Sequence, residues 1–381
     1  MTLHGRAAAN GSRYCAAVPT LRAGAVGVDI DVVTTLDPTA RDELEALLEL
    51  AQERDDFPNL SDEALFSIDQ LGTTLSGVEP SGSPAPESAV LLARNHGTRE
   101  LVGCAVVARR RDHWDIEMAV HPDHRTIDPR HPGAATPRNP GPSTGGAIDA
   151  IEGVLGALLD MAIAEAAERG GAAIQVWGRN ADHDLDAAMA ARRLEKTREL
   201  LQLRAPLPPD AARDAAFPPV AIRPFRPGHD ERSWLEVNNR AFREHPEQSA
   251  WTLDDLARRE REPWFDPRGF LLHEADGRLA AFCWTKVHRR PAFGEIYVIG
   301  VDPDFQGRGL GRALTRAGLG HLAARGISTA MLYVEVTNAP ALVLYRSLGF
   351  TEHHREALYT GELHIEGRPA PPPASAQVPG S

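Results

Sequence analysis

Gln306-Gly307-Arg308-Gly309-Leu310-Gly311-Arg312 packs three glycines and two arginines into seven residues, and a helical pattern follows at once. That combination suits an anion. A helix N-terminus offers unpaired N–H groups and a partial positive charge. Glycines let the backbone come close and reach positive φ. Arg308 and Arg312 can fork onto phosphate oxygens. No Lys-Ser/Thr pair follows, so this is not a triphosphate-binding loop. Nor does it open a parallel domain with an acid about 20 residues on, as a dinucleotide fold requires. Upstream, Glu295 begins the strand "EIYVIGVDP" that leads into the turn. A carboxylate there can take a proton, or it can be a solvated acid at a strand end.

The flanking pattern supplies elements to hold these groups. "FLLHEADGRLAAFCWTKVH" reads as a hairpin turning at Asp276-Gly277. After the glycine-rich helix come the strand "TAMLYVEV", the helix "APALVLYRSLG" and the strand "EHHREALYTGEL". The helices "ERSWLEVNNRAF" and "TLDDLARRERE" precede the hairpin. An equivalent order runs earlier. Helical spacing puts Leu44, Leu47 and Leu48 on one face, and Ser61 caps a second helix. A strand pair turns at "NHGTR", then "WDIEMAVHP" is a strand, "AIEGVLGALLDMAIAEAAERG" a helix, "AAIQVWG" a strand and "DLDAAMAARRL" a helix.

The chain therefore repeats itself. "MAVHPDHR" lies over "IGVDPDFQ" at an offset of 181, and "GVLGALLDMAIAEAAERG" over "GLGRALTRAGLGHLAARG" at 156. The difference of 25 residues is mostly the Pro/Gly-rich stretch 126–147, expected to be an inserted loop. Tandem duplication explains the order.

Bulk properties set limits. The 381 residues suit two domains, and 42% hydrophobic with 25% charged residues is an ordinary globular balance. A net charge of −12 disfavours general nucleic-acid binding. No apolar run approaches the roughly 20 residues of a membrane span. Cys15, Cys104 and Cys283 fit no metal or redox spacing, so no metal is expected and a reducing cytoplasm is. Residues 1–27 lack the apolar core of a secretory signal and read as a disordered extension, or as residues upstream of the true start. A linker is expected at 206–220 and a disordered Pro/Ala/Ser tail at 367–381.

"Q-G-R-G-L-G", preceded by "EIYVIGVDP" and followed by "NAPALVLYRSLGF", resembles the cofactor motif and last helix of the GCN5-related N-acetyltransferases. "NNRAFREHPEQSAWT", "WFDPRGFLL", "FCWTKVH" and "LYVEVTNAPA" are similar to a two-domain actinobacterial branch of that family. The resemblance is specific over residues 231–360 and mainly architectural over 29–205. It implies an α/β fold of α+β type: two tandem domains, each a mixed, mostly antiparallel central sheet flanked by helices. The first would be a degenerate domain over 28–205 and the second a catalytic one over 221–366. It also implies a cytoplasmic monomer that moves acetyl from acetyl-CoA to the cysteinyl amine of a cysteine–glucosamine–inositol conjugate.

Site residues follow from the resemblance. Glu295 would be the general base and Tyr345 the general acid toward the CoA sulfur. Ile299, Gly300 and Val301 would pair with the pantetheine arm, and an N–H there could hold an oxyanion. Gly300 also breaks the strand pattern, as at a bulge or close ligand approach. Gln306 to Arg312 would hold the pyrophosphate. Asn338, Ala339, Pro340, Ala341, Leu342 and Val343 would form a second CoA segment, with Val343 where some relatives carry a basic residue. Asp62, Glu247, Lys286 and Tyr333, with Glu295, would contact the acceptor. His245, His288, His353 and His354 are expected to be solvated or structural.

The first half aligns as a worn copy. Arg308 falls on Glu152, Gly311 on Leu155, Tyr345 on Ala191, Gly349-Phe350 on Glu195-Lys196 and Glu295 on Trp114. That half is expected not to catalyse. Two other readings remain open: an N-acetyltransferase of another small polar amine, and a non-catalytic acetyl-CoA-binding regulator.

Overall fold

The computed structural model describes residues 21–23, 27–71, 87–110, 112–125, 153–170, 173–179, 183–207, 220–243, 251–288 and 292–363. The extension before 21, the inserted loop 126–147, most of the linker and the tail lie outside them, as do Glu247 and His245. The chain forms two compact units. Unit 1 takes residues up to Gly178, Asp182–Glu195 and the chain from Tyr359 onward; unit 2 takes Arg179–Ala181 and Lys196–Leu358.

Unit 1 carries β1 (Leu21–Ala23), β2 (Val28–Val33), α1 (Pro38–Asp55), α2 (Asp62–Asp69), β3 (Ser88–Asn95), β4 (Leu101–Arg109), β5 (Trp114–Val120), α3 (Val154–Glu168), β6 (Ala173–Arg179) and α4 (His183–Ala191). Its strands lie in chain order, antiparallel up to β5, with β5 and β6 parallel. Pro38 fixes the first turn of α1 while Asp37 caps it by accepting from the Ala40 N–H. Leu44 and Leu47 bury that helix against Val90, Leu92, Cys104 and Val106 of the sheet.

Unit 2 carries β7 (Glu195–Pro206), β8 (Arg223–Pro224), α5 (Glu231–Ala241), α6 (Leu253–Glu260), β9 (Phe270–Ala275), β10 (Arg278–Val287), β11 (Gly294–Val301), α7 (Leu310–Ala324), β12 (Thr329–Glu335), α8 (Ala339–Ser347) and, as far as Leu358, β13 (Thr351–Glu362). The strand order is β13-β7-β12-β11-β10-β9-β8. Thus β7, which closes the first half of the sequence, lies in unit 2 and pairs antiparallel with β12 from Thr329↔Pro206 to Glu335↔Leu200. The β9–β10 turn is as expected: Asp276 and Gly277 both hold positive φ, the combination that closes a two-residue hairpin with the right twist. One aliphatic core gathers Leu314 of α7 and Leu342 of α8 with Leu201, Leu203, Ile296 and Leu332 of the sheet. A second core is aromatic: fully buried Trp234 sits edge-on to Phe270, Phe282 and Trp284, and Phe270 stacks on Trp284 at 4.3 Å.

The two units correct the repeat alignment. Gly349 and Arg193 both hold positive φ after their helices. The Phe350 N–H bonds the Tyr345 carbonyl as the Leu194 N–H bonds that of Met189. The offset of 156 therefore continues through the last helix. Tyr345 falls on Met189 and Gly349-Phe350 on Arg193-Leu194, not on Ala191 and Glu195-Lys196.

Candidate active site

The unit 2 sheet is irregular where chemistry was expected. Along β10–β11, Trp284 pairs with Val298 but Thr285 pairs with Ile296, so Tyr297 is the extra residue of a bulge. The corresponding ladder of unit 1, β4–β5, runs without a break from Gly103↔Val120 to Arg109↔Trp114. A bulge leaves one residue out of the hydrogen-bond ladder and bends the strand. Beyond it β11 leaves its parallel neighbour: β11 and β12 pair only at Gly294↔Ala330 and Glu295↔Met331. In unit 1 the equivalent strands stay paired over four positions, Trp114↔Ile174 to Glu117↔Trp177. Unit 2 thus opens a slot between its central strands just after Glu295, and unit 1 keeps its strands zipped further.

The bulge also moves the counterpart of Glu295. Lys286 pairs with Glu295, as Ala108 pairs with Asp115. The first-half equivalent is therefore Asp115, not Trp114, and an acid survives there. Asp115 is engaged by Arg110 at 2.5 Å and His113 at 3.0 Å. Burial alone would raise its pKa, but His113 and Arg110 hold it below the usual carboxylate range.

The slot leads to the glycine-rich turn. Gly307 and Gly309 both hold left-handed backbone, at φ 76° and 78°, and a Cβ on either would meet nothing. Conformation, not crowding, demands glycine there. Gly309 is the N-cap of the 15-residue α7 and offers no side-chain cap, so the first N–H groups of the helix face outward from Leu310, Gly311 and Arg312. Arg308 lies over the Phe305 ring at 4.9 Å, and Arg312 donates to Ser347 Oγ at 2.6 Å. These residues fit a pyrophosphate. Gly300 serves a different end from the one expected. A Cβ there would meet the Phe282 ring at 2.7 Å, so it is small for core packing while the bulge sits at Tyr297.

Asn338 caps α8 by accepting from the Ala341 N–H at 3.2 Å, with Pro340 in the first turn. Val343 is 68% exposed on that helix. Tyr345 is buried against Phe350, and burial, with Cys283 nearby, pushes its hydroxyl pKa well up. It is a protonated donor at neutral pH.

Glu295 and Lys286 are both buried and stand opposite each other. The Lys286 ammonium lies over the rings of Trp264 at 4.8 Å and Tyr297 at 5.4 Å. Tyr333, on β12, accepts a hydrogen bond from Gln202 of β7 at 2.9 Å. Burial raises its pKa most, and the carboxylates of Glu356 and Glu295 add to that. Glu356 is itself buried. Burial would raise its pKa, but Arg179 and the His354 hydrogen bond overcome this and hold it at about 2. Unit 2 therefore brings Glu295, Lys286 and Tyr333 together. Asp62 is the first residue of α2 in unit 1, where Ser61 caps the helix and is held by Glu117.

His288 was expected to be solvated or structural. Its Nε2 lies 2.7 Å from Glu295 Oε2. The signal was strand parity: His288 follows Lys286 by two residues, and alternate residues share a face. Gln202 carried no such signal, because its strand belongs to the first half of the sequence. Among the described residues no group of three His, Cys, Asp or Glu could hold a metal, and no helix is long and apolar enough to cross a membrane.

A sheet splayed beside a bulge, with a glycine turn opening a helix, defines a GNAT-type acetyltransferase. The Acetyltransferase (GNAT) family model matches residues 232–350. A tandem GNAT protein from the clavulanic acid biosynthesis pathway superimposes with a TM-score of 0.60 at 16% identity, over 88% of this chain and 98% of its own. A mycothiol acetyltransferase of Thermomonospora curvata is 51% identical over 193 residues, 50% of this chain and 65% of that protein. One from Kocuria rhizophila is 38% identical over 331 residues, 84% of this chain and 95% of that protein. The chain belongs to the mycothiol acetyltransferase family.

Proposed function

We propose that the chain is a mycothiol synthase. It takes the acetyl group of acetyl-CoA and places it on the cysteinyl amine of desacetylmycothiol. The observation that carries the reaction is the buried Glu295 carboxylate at the last bonded pair before the slot. The kinship to mycothiol acetyltransferases over nearly the whole length of the Kocuria relative supports the acceptor.

Acetyl-CoA supplies an acetyl group already activated as a thioester. Its pyrophosphate rests on the N–H groups from Gln306 to Arg312, and its pantetheine arm runs along Ile299, Gly300 and Val301. Asn338 to Val343 flank it on the other side. Glu295 takes the proton from the acceptor ammonium, leaving the amine free to attack. A backbone N–H of β11 beyond the bulge holds the charge that develops on the carbonyl oxygen. Tyr345, protonated in its buried setting, returns a proton to the departing sulfur. Lys286 and Tyr333, both in unit 2 beside Glu295, supply polar contacts for a hydroxyl-rich acceptor. The protein acts as a cytoplasmic monomer. The buried free thiols of Cys104 and Cys283 are compatible with a reducing compartment.

The test is CoA release on mixing the protein with acetyl-CoA and desacetylmycothiol, with Glu295→Gln alongside. Release that falls by about 10²–10⁴ in the variant supports both acceptor and base. Bound acetyl-CoA without release would overturn the acceptor, leaving another amine or a regulatory role.

A further inference from the structure

An ionised carboxylate only accepts hydrogen bonds. The 2.7 Å contact between His288 and Glu295 therefore requires the proton on Nε2 of the imidazole. That ring is itself held. The His288 backbone N–H bonds the Phe293 carbonyl at 2.9 Å, and the two rings lie 4.7 Å apart. Arg204, from β7, stacks its guanidinium on the other partner of that contact, 5.1 Å from the Phe293 centroid. So a layer of Arg204, Phe293 and His288 ends on one oxygen of the Glu295 carboxylate. Lys286 faces the same carboxylate from β10 and Tyr333 from β12.

We infer that His288 is a positioning residue for Glu295: its Nε2–H pins Oε2 so that Oε1 is presented to the acceptor amine. The inference rests on the reading of Glu295 as the base. The terminal torsion of a glutamate is broad, so an unpinned carboxylate samples many orientations and only some receive the proton. Misplacement on the scale of 1 Å costs up to about 10² in rate.

The test uses the full chain with acetyl-CoA and desacetylmycothiol. His288→Phe keeps a ring against Phe293 and removes the donor; His288→Gln restores an N–H. The expected result is a kcat lower by about tenfold to a hundredfold in His288→Phe, with the acetyl-CoA KM unchanged and most of the loss recovered in His288→Gln. In the Glu295→Gln background, His288→Phe costs little more, because the histidine acts through the carboxylate. A full kcat in His288→Phe, or a loss carried undiminished onto Glu295→Gln, overturns the inference. An unslowed Glu295→Gln overturns the base itself. A readout without turnover is the ring ¹⁵N spectrum of the resting protein. The Nε2-protonated tautomer should dominate and should be released to a mixture in Glu295→Ala. A bare Nε2 in the parent overturns the inference whatever the acceptor.

Discussion

Lys286 stands directly across the β10–β11 ladder from Glu295, yet its ammonium is drawn over the rings of Trp264 and Tyr297. Aromatic faces hold a cation near the carboxylate while fixing its place. Lys286→Met should therefore raise the acceptor KM about tenfold, roughly 1.4 kcal/mol of lost binding, with the acetyl-CoA KM unchanged. Lys286→Arg should fail to restore it, since a planar guanidinium does not reproduce a point charge between two rings. Steady-state kinetics with each substrate varied in turn checks both.

Gly309 and Gly300 should respond to alanine for opposite reasons. At Gly309 the added methyl meets only open space, so the cost is the left-handed backbone, about 1–2 kcal/mol. The distorted turn should bind acetyl-CoA more weakly, and Gly309→Asn should be milder than Gly309→Val. At Gly300 the methyl collides with buried Phe282, which costs about 1–3 kcal/mol through core strain. Thermal unfolding with and without acetyl-CoA separates the two.

Glu356 sets an acid limit on unit 2. Its pKa falls from 4.5 to about 2 on folding. A depressed carboxylate contributes stability above its unfolded pKa and loses it as pH falls through the folded one. The contribution is on the order of 3 kcal/mol at neutral pH. Denaturation followed from pH 7 downward should show Glu356→Gln less stable than the parent. That gap should narrow below pH 4.5 and close near pH 2.

Unit 1 should be silent in turnover. Its central strands stay paired further, its ladder lacks the bulge, and Asp115 is engaged by Arg110 and His113. Calorimetric titration should find one acetyl-CoA per chain, and Asp115→Asn should leave kcat unchanged. Two equivalents of similar affinity would contradict this.

The glycine-rich turn and the order of elements were legible because each depends on local pattern: helical or alternating periodicity, and glycine where φ is positive. Glu295 and Tyr345 stood out only through the family resemblance, since an acid at a strand start and a tyrosine on a helix carry no local signal of their own. The bulge at Tyr297 was not, because one inserted residue leaves the alternation of "EIYVIGV" nearly intact and shows only against the partner strand. Missing it put Trp114, rather than Asp115, opposite Glu295. The alignment slip at Tyr345 had a similar origin: Arg193 adopts a backbone that sequence expects of glycine. His288 was readable by parity from Lys286. Gln202 was not, since no local signal tells a strand which sheet it will join.

That last strand has a consequence for inheritance. The gene doubled in a line, but β7, written before the linker, completes the sheet of the half written after it. A polypeptide begun at residue 221 would lack the strand that bonds seven residues of β12 and carries the partner of Tyr333. It would present a bare, apolar edge ready to pair with another chain. The dependence runs one way on this strand: the second half cannot be cut free at the linker, because a strand of its own sheet is written in the first.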